Sequence, residues 1–281
     1  MSDSETPVFW FPGDDPEMEQ AAARARQTFR FFWRELAWEQ RRIIPGLELA
    51  AVKAAFFDPP EIQSQTPETP HVEHMWLMDV DFDGRHLYGT LINSPHSLQT
   101  YAEGDQVTIP GMQISDWMYV ISGNVYGGFT VDMLRSRMQP GERKQHDQAW
   151  GFDFGEVGMV NLVPPEFFSD SPARKKSFFS FLGTPKPVAQ DYAKVAATEH
   201  PMSVNMRKSL DETLASNPGM VHEKDERGFT FLHQLALAGS WDGVDICLKH
   251  GADPQQTTPN GMTPLALAKS LNWTRVMERL Q

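Results

Sequence analysis

A chain of 281 residues with 40% hydrophobic and 22% charged side chains has a globular composition and room for one large or two modest domains. Its formal net charge of −12 excludes the basic footprint that direct nucleic-acid binding requires. No apolar run approaches the roughly 18 residues needed to cross a bilayer, so no membrane role is expected.

The acid excess is uneven: residues 1–199 hold 28 acids against 17 bases, and residues 200–281 hold nine against eight. From Ala54 to Gly84 there are seven acids and no Lys or Arg. Such a stretch fits either a solvated surface or a face that attracts a basic partner. The start, "MSDSETPVFWFPGDDPEMEQ", has neither the basic nor the apolar region of a signal peptide. The single Cys247 cannot form an intramolecular disulfide. The expected location is cytoplasmic.

Asp15-Pro16 supplies an N-cap acceptor and a proline at the first helical position. Met18, Ala22, Ala25, Phe29, Phe32 and Leu36 then form one apolar stripe, which predicts a helix ending near Arg42. Residues 47–57, "LELAAVKAAFF", fit a helix or a strand, and the proline-rich 58–70 reads as a loop. From residue 71 the period drops to two, with a hairpin signal at Asp83-Gly84. Alternation places His74, Trp76, Met78, Val80 and Phe82 on one face and Met75, Leu77, Asp79 and Asp81 on the other. A strand at 105–109 and a hairpin 117–122/125–131 across Gly123-Asn124 complete a small antiparallel sheet. Trp117, Tyr119 and Ile121 share one face of it, Met118 and Val120 the other, and Asp116 reads as a turn acceptor just before the strand. The expected class is therefore α+β, a small antiparallel sheet covered by the long N-terminal helix.

Residues 164–190 contain five prolines and read as a connector; the triplet Arg174-Lys175-Lys176 within them is too short to support a targeting claim. Beyond it lies an internal repeat. Gly228 and Gly261, Thr230 and Thr263, and Leu232 and Leu265 are each 33 apart. "GFTFLHQLA", "GMTPLALAK" and "GAD" resemble the ankyrin repeat, which implies a turn finger followed by two antiparallel helices per repeat. Phe231 stands where that repeat has proline, and Ala266 where it has histidine. "MRKSLDETLASNPGMVHEK" resembles a degraded repeat acting as a cap. The resemblance implies an all-α ankyrin module of about two and a half repeats, a buried inert Cys247, and a His233 that only makes local hydrogen bonds. With fewer than the roughly three repeats a free-standing stack needs, the module is expected to lean on the N-terminal domain. The expected domains are 1–160, a connector 161–200, and 201–281.

No site chemistry emerges from the motifs. His71, Glu73, His74, Asp79, Asp81, Asp83 and His86 cluster in sequence, and "DVDFDG" echoes the start of a calcium loop, but the downstream Glu of that loop is absent. His71 and His74 diverge in a strand and make a poor zinc pair. Gly127-Gly128, inside an expected strand, signals a bulge or a close backbone approach. His146-Asp147 beside "WGFDFG" reads as loop decoration on the surface, an acid/base pair being the lesser alternative. No catalytic, metal or cofactor residue is assigned, and the expectation is a protein without enzymatic activity or cofactor.

"FFWREL", "EHMWLMDVDFDGRHLYGTLIN", "GDQVTI" and above all "ISDWMYVISGNVYGGFT" resemble the YegJ-like family of bacterial domains of unknown function. The following "WGFDFG" and "EHPMSVNM" resemble the segment that joins such domains to ankyrin repeats. The resemblance implies a fold and carries over no catalytic residue. Domains of this sort are similar to immunity proteins that block bacterial toxins, which implies a cytoplasmic antitoxin-like protein occluding a basic toxin domain encoded nearby. The alternatives are a general ankyrin adaptor with another protein partner, or an unrecognised enzyme. For partner binding the candidates are Glu73, Asp79, Asp81 and Asp83, the finger tips around Glu226, Arg227, Phe229, Asn260 and Met262, and the indoles of Trp241 and Trp273, for which packing between helices is the equal alternative.

Overall fold

A computed structural model of the chain describes residues 15–65, 72–168 and 190–281. It divides into two compact units. One comprises the chain up to Thr28 and Leu47–Gly158; the other comprises Phe29–Gly46 and Met159–Gln281. Helix α1 (Pro16–Glu39) contributes to both, its first half to one unit and its second half to the other. The division thus passes through α1, and its last boundary falls between Gly158 and Met159. The proline-rich stretch lies largely outside the described residues.

In the first unit, β1 (Leu49–Phe57), β2 (Val72–Phe82), β3 (His86–Leu91), β4 (Gln106–Pro110), β5 (Ile114–Ile121) and β6 (Asn124–Gly127) form one sheet. The order is β4-β3-β2-β1-β5-β6 and every pairing is antiparallel. The ambiguous 47–57 segment is the strand β1, and it lies between β2 and β5. Its packed face carries Val52, Ala54 and Phe56 and its other face Ala51, Ala55 and Phe57, so apolar residues on both faces erase the alternation that would have marked it. A short helix α2 (Pro60–Gln63) follows β1.

Strict alternation fails in β2. Leu77 pairs with Leu91 and Phe82 with Leu87, with an irregularity between Met78 and Asp81. Leu87 and Leu91 are four apart and so share a face; their partners Leu77 and Phe82 share it too, although they are five apart. Asp79, at φ 52°, is the extra residue of a bulge. Val80 and Phe82 therefore join the face of Met75 and Leu77, correcting the expected assignment, and Asp79 is turned out to solvent.

Both faces of the sheet are covered, where one cover was expected. On the first face the Trp117 indole donates from Nε1 to the Ala25 carbonyl at 2.9 Å and to Thr28 Oγ1 at 3.2 Å, which docks α1. On the second, Ala51, Trp76, Met118, Val120, Val125 and Val131 form a core flanked by Trp150, Phe152 and Phe154. The expected strand 125–131 stops at Gly127, and α3 (Phe129–Arg137) and α4 (Pro140–Trp150) follow. Gly127 at φ 81° turns the chain where any Cβ would collide with the Trp117 carbonyl and ring, the close approach anticipated for the glycine pair.

The second unit is helical: α5 (Tyr192–Ala197), α6 (Pro201–Ser216), and the pairs α7 (Phe231–Leu237) with α8 (Trp241–Lys249) and α9 (Pro264–Ser270) with α10 (Thr274–Leu280). Identical turns precede the two pairs. Asp225 N–H donates to the Phe229 carbonyl and Gly228 N–H to the Asp225 carbonyl; 33 residues on, Thr258 and Met262, then Gly261 and Thr258, repeat both bonds. Phe29, Phe31, Phe32, Trp33 and Trp38 of α1 are buried in this unit, with Phe31 edge-on to Trp273 at 6.1 Å. No helix among the described residues is long and apolar enough to cross a membrane.

Candidate functional site

The acidic stretch does not assemble into an acidic surface. Glu73 on β2 is buried and points inward, where it accepts from His96 N at 2.9 Å, Leu98 N at 3.0 Å, and both N and Oγ of Ser97. Burial opposes its charge, but these donors prevail and hold the carboxyl below its ordinary value. Asp83 closes the β2–β3 hairpin by accepting from Arg85 N at 2.8 Å, His86 N at 2.7 Å and the Tyr88 hydroxyl at 3.0 Å. Asp81 is half-buried and accepts from Phe82 N; of the four, Asp79 alone is exposed. His74 and His86 are exposed, and His71 lies outside the described residues. Among the described residues no group of three or more His, Cys, Asp or Glu is placed to hold a metal ion.

The finger candidates divide in the same way. Glu226 is exposed, and Arg227 and Asn260 are half-buried. Phe229 and Met262, expected at the tips, are buried: they are the equivalent closing residues of the two turns, with backbone N–H groups bonded to Asp225 Oδ1 and Thr258 Oγ1. Trp241 and Trp273 are buried as well. Trp241 lies under the Arg275 guanidinium at 4.4 Å, and Trp273 donates to the Leu237 carbonyl at 3.0 Å. These four side chains hold the helices together and are not presented to a partner. His233 is buried and bonds Thr230 Oγ1 at 2.8 Å and the Gln256 carbonyl at 3.0 Å, a local role. Cys247 is fully buried, and burial pushes its thiol up to about 12.

Three polar clusters have a setting that the sequence does not show. Asp116 lies within β5, not before it, and is fully buried. Its Oδ1 accepts from Trp117 N and Phe129 N, and its Oδ2 from Thr130 N and Thr130 Oγ1, all within 2.9 Å. It thereby caps α3, whose own N-cap residue, Gly128, has no side chain to offer. His146, expected on a surface loop, is buried on α4. Its Nδ1 is 2.9 Å from Asp147, and Asp147 is gripped by Nε and Nη2 of the buried Arg135 at 2.8 Å each. Arg135 donates in turn to the Gly155 carbonyl, so "WGFDFG" is tied to α3.

The third cluster belongs to the second unit. His200 Nδ1 accepts from Met202 N, which leaves its Nε2 hydrogen for Glu35 at 3.0 Å. Trp38 stacks on the His200 ring at 5.6 Å, and burial lowers the His200 pKa. Neighbouring Glu199 accepts from Asp242 N at the start of α8 and from His200 N at the start of α6. Burial, with Asp242 adding to it, pushes the Glu199 carboxyl up to about 7. A detectable signal lay in "FFWREL", where Glu35 interrupts a dense aromatic run.

A family model described as "Uncharacterized protein conserved in bacteria (DUF2314)" matches residues 15–154, the region that holds the six-stranded sheet, α3 and α4. The chain is also similar to the "Putative ankyrin repeat protein NMB1133/NMB1171" of Neisseria meningitidis serogroup B, with 37% identity over 274 residues covering 98% of this chain and 96% of that protein. A shorter similarity, 36% over 72 residues, covers 25% of this chain and 47% of "Uncharacterized protein YegJ" of Escherichia coli K12. The chain therefore belongs to the same family as the Neisseria protein, and its residues 15–154 are a bacterial DUF2314 domain.

Proposed function

We propose that the chain is a protein-binding protein whose C-terminal helix pairs are ankyrin repeats. The observation that carries this is the 33-residue recurrence of one backbone turn, Asp225–Phe229 and Thr258–Met262, each followed by a helix pair. The name of the Neisseria relative and its near full-length similarity support it. The turns place Glu226, Arg227 and Asn260 at least partly in solvent, while their anchors stay buried. A rigid turn with a polar tip offers contacts at little entropic cost.

The sharper form of the reading is a cytoplasmic immunity protein that occludes a basic toxin domain. Its support is the YegJ-like resemblance and the net charge of −12. The acidic hairpin gives it little, because Glu73 and Asp83 are committed to internal hydrogen bonds. A photo-reactive residue at Glu226 of the full chain, used in its native host, tests the coarser form. It should cross-link a protein that the same group at exposed Glu103 does not. Identical products from both positions would refute binding through the turns. Rescue of cells expressing a toxin encoded beside the gene would test the sharper form.

A further inference from the structure

Lys53 has an unusual setting in the middle of the sheet. On central strand β1 it lies directly opposite Trp76 of β2 on one side and Asp116 of β5 on the other. Its Nζ is 5.7 Å from the centre of the Trp76 ring. Among the described residues it makes no hydrogen bond or ion pair. A lysine kept only to neutralise a buried aspartate would donate to it. Here both Asp116 oxygens are taken by four donors from β5 and the start of α3, so Asp116 supplies a field and no hydrogen bond.

The same face opens to solvent beyond Lys53. Alternation continues it through Ala55 and Phe57 on β1 and through His74 and Val72 on β2, paired Ala55 with His74 and Phe57 with Val72. His74 is exposed, and Phe57 and Val72 are each 43% exposed. Toward the other end the face is closed by the core around Ala51, Trp76 and Met118. A half-buried amine thus stands at the border between a packed aromatic wall and an open apolar one.

We propose that Lys53 is a reactive amine that condenses with an aldehyde or ketone bearing a flat apolar group. The nitrogen lone pair attacks the carbonyl carbon, a C=N bond forms, and the carbonyl oxygen departs as water with the two amine hydrogens. No electrons are exchanged with a third reactant. Attack requires the neutral amine, and burial lowers the Lys53 pKa while Asp116 pulls it partly back. Protonation of the imine restores a cation over the Trp76 face and beside Asp116, which stabilises the product in place.

The test is reductive trapping on the full chain at pH 7 with benzaldehyde and cyanoborohydride, followed by peptide mass mapping. Lys208, whose side chain is 87% exposed, is the internal reference. Lys53 should be labelled faster than Lys208, since burial lowers its pKa and leaves more of the neutral amine at pH 7. That advantage should shrink as the pH approaches 10. Trp76→Leu, checked for an unchanged circular dichroism spectrum, should slow benzaldehyde labelling of Lys53 and leave Lys208 unaffected. Labelling of Lys53 no faster than that of Lys208, or rates that rise in parallel with pH, would overturn the proposal. Neither outcome bears on protein binding through the repeated turns.

Discussion

Replacing Glu199 by Gln should flatten the pH dependence of stability between about pH 4.5 and 7. In the folded chain the carboxyl sits at about 7 instead of 4.5, because burial disfavours its charge and the Asp242 carboxylate adds to the cost. The folded state therefore holds the proton more tightly than the unfolded state does. The resulting stability is fully present below pH 4.5 and is lost as the pH rises through 7. A difference of about 2.5 pKa units corresponds to about 3 kcal/mol at full development, an upper value for a group that is 9% exposed. Gln carries no charge at any pH but has one acceptor oxygen, where Glu199 uses Oε1 for His200 N–H and Oε2 for Asp242 N–H, so it adds a cost that does not vary with pH. Urea unfolding of both proteins at pH 5, 6, 7 and 8, followed by tryptophan fluorescence, isolates the effect, since His200, Glu35 and all other groups are common to the pair. The stability of the variant relative to the parent should rise by up to about 3 kcal/mol between pH 5 and pH 8. Parallel curves across this range would refute the argument.

Asp116→Ala leaves two buried N–H groups at the start of α3, the Thr130 hydroxyl and Lys53 without their acceptor or countercharge, and should cost about 3–5 kcal/mol in thermal or urea unfolding; a loss below about 1 kcal/mol would contradict the capping role. Gly239→Ala places a Cβ against the Trp273 indole at a backbone φ of 74°, so its melting temperature should fall well beyond that of Gly219→Ala, where nothing lies near. Cys247, buried with its thiol at about 12, should resist Ellman's reagent at pH 8 until denaturant is added. Residues 200–281 expressed alone lack the α1 segment that supplies Glu35 and Trp38 to His200 and Phe31 to Trp273, and should give no cooperative melt by circular dichroism.

Elements with local signals were legible in the sequence. The Asp15-Pro16 start and the Asp83-Gly84 hairpin depend on neighbours within a few positions, the 33-residue spacing on a short motif that recurs, and each has its structural counterpart. Features set by tertiary pairing were not. β1 reads ambiguously because Ala and Phe stand on its open face as well as on its packed one, and the bulge at Asp79 reverses the faces of β2 in a run that otherwise reads as regular. The polar sequence of α4, "PGERKQHDQAW", conceals a helix whose one buried side chain is His146. Burial of the site candidates was misjudged for a related reason: a Phe or Trp at a turn looks like a contact residue in sequence, but Phe229, Met262, Trp241 and Trp273 are needed as the turn's own core.

The acids show most clearly how composition can mislead about surface. Asp58 is buried and accepts from Gln99 N and Thr100 Oγ1; Glu73 holds residues 96–98; Asp116 caps α3; Glu199 joins the starts of α6 and α8; Asp225 closes a repeated turn and takes a bond from Gln234. In each case a carboxylate satisfies backbone N–H groups that no helix or sheet partner reaches, which is what an irregular segment beside a core requires. A run of seven acids with no base therefore does not by itself imply a basic partner, since several of those charges are already answered by oriented N–H dipoles. Charge attraction to a partner should instead be sought at acids with no such duty; of the five acidic candidates named from the sequence, Asp79 and Glu226 are the exposed ones, one on a bulge and one on a repeated turn.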